Sequence, residues 1–156
     1  IIFPLIERVK YPGVHSGQLA LPGGKLEEND ADFIDAALRE MFEETGIKSN
    51  REMVLGKLTE IYIPPSNFMV QPVVAYSNRI PQMLHNPCEV EQIIEFSVRE
   101  LIDDSIVGTT IVQAGNGLKV KTPYFEVRGK VLWGATAMML NEFKTLVKDN
   151  KLLLSP

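Results

Sequence analysis

Cysteine is nearly absent. Cys88 stands alone among 156 residues, so no disulfide can close within the chain. A reducing compartment is the expected home, with the cytoplasm as its default. Long apolar runs are missing too: charges or prolines interrupt the richest segments before they approach the roughly 18 to 20 residues of a membrane-spanning helix. The chain is therefore expected to be soluble and to have no membrane partner. Basic charge is scarce and scattered, with 16 Lys and Arg against 20 Asp and Glu, a formal net charge of -4, and no cationic run or stripe. That balance offers a polyanion no long-range attraction, so nucleic acid is not an expected partner. Repeats and low-complexity tracts are also lacking. The chain opens at Ile1, inside a strand-like run, and residues upstream of it are expected to be missing.

What is present suits one ordinary globular domain, taken here as residues 1–156: 45% of residues are hydrophobic and 23% charged, enough for a sizeable core. Strand-like runs are expected at Ile1 to Val9, Gln18 to Leu21, Met53 to Ile63, Phe68 to Tyr76 and Glu91 to Ser97. Two more, Ile106 to Gln113 and Leu118 to Val127, flank the hairpin signal Ala114-Gly115-Asn116-Gly117. Pro64 and Pro65 lack the N–H that continued pairing requires, so Pro64-Pro65-Ser66-Asn67 reads as a loop.

From Ala31 to Thr45, Ile34, Ala37, Leu38, Met41 and Phe42 recur at helical steps, and Gly46 follows as a left-handed stop. A second amphipathic helix is expected from Ala135 to Lys148, with Met138, Met139, Leu140, Phe143, Leu146 and Val147 as its apolar set and Trp133 in the core. The pattern is α+β, with strands outnumbering helices.

Glu40, Glu43 and Glu44 stand at i, i+3 and i+4, so their carboxylates share one face, roughly opposite the apolar stripe. They repel one another there, and they lie in the last turns, where exposed carbonyls already make a helix end negative. A hard divalent cation against that face would account for the arrangement, because such ions favour oxygen ligands. A solvated acidic face would account for the bare spacing equally well. Asp30 has two readings as well, a partner for Arg39 or the N-cap of the helix.

Context decides the reading of the three glutamates and leaves both readings of Asp30 open. Gly24-Lys25-Leu26-Glu27-Glu28-Asn29-Asp30, continuing to Arg39-Glu40-Met41-Phe42-Glu43-Glu44-Thr45-Gly46-Ile47, resembles the box of the Nudix hydrolases. In two places it departs from the usual pattern: the box acid is Asp30 rather than glutamate, and eight residues rather than seven separate it from Arg39. Gly23-Gly24-Lys25 is not a P-loop, since no Ser or Thr follows Lys25 and the upstream glycine spacing is wrong.

The resemblance implies the Nudix fold, an α/β/α sandwich with a mixed sheet, and hydrolysis of a diphosphate with Mg2+ or Mn2+. It makes Glu40 and Glu44 metal ligands, Glu43 a further ligand or the group that takes the water's proton, and Arg39 the residue that holds a carboxylate in place. The Gly23 carbonyl is a backbone donor to the metal, and Gly24 keeps its approach open.

Arg8, His15, Gly17 and the run Gln18 to Gly24 are similar to the coenzyme A diphosphatase branch, as are Ile63 to Phe68 and Trp133 to Ala137. That likeness implies a CoA-like small-molecule diphosphate as substrate, cleaved to 3',5'-ADP and a 4'-phosphopantetheine product. Arg8, His15, Gly24, Ser66 and Asn67 are the candidate substrate contacts. Rival readings are a nucleoside triphosphate or ADP-ribose pyrophosphatase, and a non-catalytic nucleotide-binding module. Glu89 and Glu91 are expected in solvent, and a homodimer is compatible with the sequence.

Overall fold

The computed structural model describes residues 1–10, 17–64, 66–113 and 119–150. Among them the elements are β1 (Ile2–Arg8), β2 (Leu19–Ala20), α1 (Phe33–Thr45), a 3-10 turn at Arg51–Met53, β3 (Val54–Lys57), β4 (Ile61–Ile63), β5 (Phe68–Val70), β6 (Val73–Ala75) and β7 (Val90–Ser97). Then follow α2 (Val98–Ile102), a 3-10 turn at Asp104–Ile106, β8 (Val107–Gln113), β9 (Lys119–Val127), β10 (Lys130–Trp133) and α3 (Gly134–Asn150). The mixture is α+β, as the hydrophobic periodicities imply. The chain forms two compact units, one of Pro4–Glu60 and Gln71–Glu95, the other of Ile1–Phe3, Ile61–Val70 and Phe96–Pro156. No helix among the described residues is long and apolar enough to cross a membrane.

The first unit carries α1. Strand β1 buries Leu5 and Ile6 completely and pairs antiparallel with β2 through Ile6–Ala20 and Glu7–Leu19. Leu19, Ala36, Ile47, Val90 and Ile94 are also buried in this unit. The N-cap of α1 is Asp32, not Asp30: its carboxylate accepts the Ile34 and Asp35 N–H groups at 2.9 and 3.1 Å. Arg51 then pairs with both Asp32 and Asp35, which holds the negative charge at the positive end of the helix.

At the other end Gly46 takes φ 72° and donates its N–H to the Phe42 carbonyl at 2.8 Å, the left-handed stop expected there. The apolar stripe is only partly where periodicity puts it: Ile34, Ala37, Leu38 and Met41 are half-buried, but the deepest positions lie elsewhere. Phe42 is 45% exposed under the Lys48 ammonium, while the buried helix positions are Ala36, Glu44 and Thr45. The cause is the segment 84–86, whose Leu84 and Asn86 N–H groups bond the Thr45 and Glu44 carbonyls and so cover that side of the last turn.

The expected long strands are each broken in two. Met53 to Ile63 divides into β3 and β4, and Phe68 to Tyr76 into β5 and β6, with β3 pairing β6 and β4 pairing β5. Pro72 has no N–H to continue a ladder, and the Gln71 amide side chain bonds the Leu58 carbonyl at 2.7 Å, where a backbone donor would otherwise sit.

The second unit holds the hairpin β8–β9, in register from Val107–Phe125 to Gln113–Lys119; its expected tip, 114–118, lies outside the described residues. Two elements here were not foreseen. Strand β10 returns through Arg128-Gly129, both at positive φ (52° and 75°), a turn whose arginine hides the usual Asn-Gly signature. Helix α2 is only five residues long but opens with a capping box in which Ser97 and Glu100 satisfy each other's backbone N–H.

Phe125, Val127 and Leu132 are buried in the sheet. Helix α3 buries Ala137, Met139, Leu140, Lys144 and Val147 rather than its full expected set: Met138 is 59% exposed, Leu146 is exposed, and Trp133 is half-buried. Lys144 can be buried because its ammonium reaches the Asp103 carbonyl at 3.2 Å and Asp104 at 2.9 Å, over the Phe125 ring.

Gly46 is where the fold's hold on the end of α1 can be tested. A Cβ there would lie 3.2 Å from the Leu84 carbonyl oxygen, on a backbone that L side chains rarely adopt. Gly46→Ala is expected to lower stability by about 1–2 kcal/mol in urea unfolding; an unchanged midpoint would contradict the left-handed stop.

Candidate functional site

The turn before α1 and the last two turns of the helix are brought together by one side chain. Arg39 donates from Nε to Asp30 Oδ1 at 3.1 Å and from Nη2 to Asp30 Oδ2 at 3.0 Å, a two-pronged pair. Its second Nη2 proton goes to the Lys25 carbonyl at 2.8 Å, and Nη1 donates to Glu40 Oε1 and Glu43 Oε2, both at 2.9 Å. The extra residue between Asp30 and Arg39 therefore leaves their bridge intact. Arg39 holds the Asp30 carboxyl below the ordinary carboxylate range, while the surrounding acids raise the arginine's own pKa. Asp30 also accepts the Glu27 N–H at 2.9 Å, which closes the 27–30 turn.

The second anchor is Glu44. Sequence spacing puts it on the solvated face, yet it is 1% exposed, the most deeply buried acid in the helix. It accepts the Gly23 N–H at Oε2, 2.8 Å away, and its Oε1 faces Arg8 Nη1 at 3.7 Å. Arg8 Nη2 in turn donates to the Gly23 carbonyl at 3.2 Å. Burial pushes the Glu44 carboxyl up to about 7, because the Gly23 and Arg8 contacts only partly offset the loss of water, while Glu40 and Glu89 add repulsion. The two Gly positions are thus tied to two different glutamates: an added Cβ at Gly24 would lie 2.1 Å from Glu40 Oε1.

Glu40, Glu43, Glu44, Arg39, Arg8, Gly23 and Gly24 all lie in the one unit and in this network. Lys25 enters it through its carbonyl, a backbone contribution that no residue type announces. His15 lies outside the described residues. Ser66 and Asn67 belong to the other unit and are occupied by the β4–β5 turn: Ser66 Oγ donates to the Ile63 carbonyl, and Asn67, at φ 55°, accepts the Tyr62 hydroxyl at 2.9 Å. Glu89 and Glu91 are exposed, as expected. Cys88 is a free, exposed thiol.

The donor chemistry suits a hard divalent cation: three carboxylates and one carbonyl, all oxygen. Among the described residues, however, no three acidic, histidine or cysteine side chains converge on one point. Each of the four donors is engaged by a guanidinium instead, Glu40 and Glu43 by Arg39, Glu44 and the Gly23 carbonyl by Arg8. Each of these donors therefore already has a positive partner, while Glu40 and Glu43 each keep a second oxygen outside the Arg39 contact.

Residues 4–108 match the NUDIX domain family. The chain is 30% identical over 128 residues to the mitochondrial coenzyme A diphosphatase NUDT8 of Homo sapiens, covering 81% of this chain and 54% of that protein. It is 32% identical over 129 residues to the protein of the same name from Mus musculus, covering 81% and 61%. With the uncharacterized Nudix hydrolase NudL of Photorhabdus laumondii it shares 28% identity over 134 residues, 86% of this chain and 71% of that one. The chain thus spans less than two thirds of the two coenzyme A diphosphatases. Among solved structures, the MutT protein from Methanosarcina mazei Go1 has a TM-score of 0.60 at 18% identity, covering 96% of this chain and 86% of that chain. A MutT/nudix family protein from Enterococcus faecalis has a TM-score of 0.57 at 18% identity, covering 94% and 55%. These likenesses establish the fold that the box implies.

The raised Glu44 carboxyl makes stability pH-dependent. A carboxyl whose pKa rises from 4.5 unfolded to about 7 folded favours the folded state fully below pH 4.5. That contribution fades as pH climbs through 7, by about 1.4 kcal/mol per unit and so about 3 kcal/mol in all. In EDTA, Glu44→Gln is expected to be stabilising at pH 8 and near neutral at pH 4.5, read by denaturant unfolding at both. Equal destabilisation at the two pH values would show that Glu44 is a structural anion rather than a strained one.

Proposed function

The chain belongs to the Nudix family, and on that footing we propose that it is a metal-dependent pyrophosphohydrolase cleaving coenzyme A or an acyl-CoA to 3',5'-ADP and a 4'-phosphopantetheine product. The observation that carries the reaction type is the set of four oxygen donors, from Glu40, Glu43, Glu44 and Gly23, that the two arginines hold in one unit. A helix end with three acids and no basic residue in its last turn is an unfavourable way to build a scaffold, but a suitable way to hold a cation. The chemistry that Mg2+ or Mn2+ supplies at such a site is neutralisation of diphosphate oxygens and activation of a water.

Glu40, Glu44 and the Gly23 carbonyl would hold the ion. Glu43 is half exposed and bonded only through Arg39 Nη1, so it has an oxygen left to accept a proton from the attacking water. Arg39 keeps Glu40 and Glu43 from splaying apart under their mutual repulsion. Gly24 leaves room for the Glu40 carboxylate, which any side chain would displace. The CoA assignment draws on the Arg8-to-Gly24 segment and on the relatives named as coenzyme A diphosphatases. Within that segment Lys10 is exposed, and its charge is free to meet a substrate phosphate.

Two measurements test this reading. EDTA should abolish turnover and Mg2+ or Mn2+ restore it, with Glu44→Gln lowering kcat by a factor on the order of 10² or more; full activity of Glu44→Gln excludes the mechanism. Separately, mass spectrometry of products from a panel of CoA, dephospho-CoA, ADP-ribose and dGTP should give the highest kcat/KM for CoA. Faster cleavage of ADP-ribose or dGTP would remove the CoA assignment and leave the diphosphate chemistry standing. Binding without product across the whole panel would favour the non-catalytic module instead.

A further inference from the structure

We propose that Arg8 is a positioning residue that competes with the divalent cation for Glu44 and the Gly23 carbonyl, so that loading the site requires its guanidinium to move away. The inference rests on the metal-site reading above and adds an opponent to it.

The geometry is a closed triangle. The Gly23 N–H is held by Glu44 Oε2 at 2.8 Å, and the carbonyl of the same residue accepts from Arg8 Nη2 at 3.2 Å. Arg8 Nη1 returns to Glu44 Oε1 at 3.7 Å. Gly23 is thus fixed at both its N–H and its carbonyl, and a buried carboxylate is given a counter-charge without any metal. Two of the four donors assigned to the ion are the two oxygens that Arg8 faces. A guanidinium does not lose its proton at any ordinary pH, so it cannot give way by neutralising; it must be displaced as a charge. Its side chain is 30% exposed, which leaves it an open side toward which to swing.

The alternative is that Arg8 faces outward to read a substrate phosphate and touches the site only incidentally. Both contacts of its guanidinium are with the site, however, and Glu44 is almost fully buried. Removing the charge should then have two opposite effects. The metal-free protein loses a counter-ion for a buried acid and becomes less stable, while the cation no longer has to displace a like charge and binds more tightly.

The test is calorimetric titration of Mn2+ into the wild type, Arg8→Gln and Arg8→Lys at pH 8, with thermal melting in EDTA alongside. Glutamine retains a donor for the Gly23 carbonyl without the charge. Arg8→Gln should bind Mn2+ more tightly by a factor on the order of 10, since unit charges a few ångströms apart repel measurably even near a surface. Its Tm in EDTA should fall, and Arg8→Lys should bind Mn2+ as the wild type does. A residue that only supports the fold would not tighten metal binding. Unchanged or weaker Mn2+ binding by Arg8→Gln, with KM for CoA raised, would overturn the competition and assign Arg8 to the substrate. Absence of Mn2+ binding by the wild type would overturn the metal site itself and this inference with it. Should Arg8→Gln fail to fold, Mg2+ titration of the wild type followed through the Arg8 side-chain NMR signals decides: they should move as the guanidinium leaves, and signals unmoved at saturating Mg2+ overturn the proposal.

Discussion

The turn before α1 and two of the three glutamates hang on the guanidinium of Arg39, which has five N–H donors and uses all five. Two go to Asp30, one to the Lys25 carbonyl, one to Glu40 and one to Glu43. No other side chain could make this set: lysine has three donors on one point, whereas the arginine fork spreads its donors in a plane. The result fastens a glycine-rich turn, with little regular structure of its own, to the end of a helix. It also brings two like-charged carboxylates to a common partner. An isolated exposed pair would contribute little, but a two-pronged contact within a network of four partners defines a geometry even where its net stabilisation is modest.

The helix that this network serves is built in two opposed halves. At its start, Asp32 caps the backbone, Asp35 lies in the first turn and Arg51 binds both, all in agreement with the helix dipole. At its end, Glu40, Glu43 and Glu44 oppose the dipole and one another, and Glu44 is buried besides. The favourable start, the Gly46 stop and the Leu84–Asn86 segment over the last turn keep the unfavourable end helical. Such conflict between local preference and global placement is what a reactive site generates, since groups arranged for a ligand are poorly arranged without it.

How much of this could be read beforehand divides along physical lines. The box, the Gly46 stop and most strands were legible, because they depend on residue type at fixed spacing or on alternation along one segment. Asp32 as the N-cap was not, since Asp30 is also an acid near the right place and only the loop geometry separates the two. Periodicity put Glu44 in solvent and Phe42 inside; a covering segment forty residues later reversed the two. In the same way Met138 was exposed and Lys144 buried by partners from Asp103, Asp104 and Phe125, none of them visible along the helix itself. Ser66 and Asn67 looked chemically apt for a substrate, yet their groups serve the turn they stand in. The pairing of Arg8 with Gly23 spans fifteen residues and involves a carbonyl, which has no sequence signature at all.

Gly23 and Gly24 look alike in the sequence but constrain different things. Gly24 is not in the left-handed region, so its backbone would accept alanine; what refuses the methyl group is the Glu40 carboxylate beside it. The position is therefore one where folding and chemistry can come apart. A side chain there would leave the backbone, outside the left-handed region, unstrained and would act by displacing one carboxylate, and with it the Glu40–Arg39 contact. Backbone conformation alone does not call for glycine at this position; the place of the Glu40 carboxylate does.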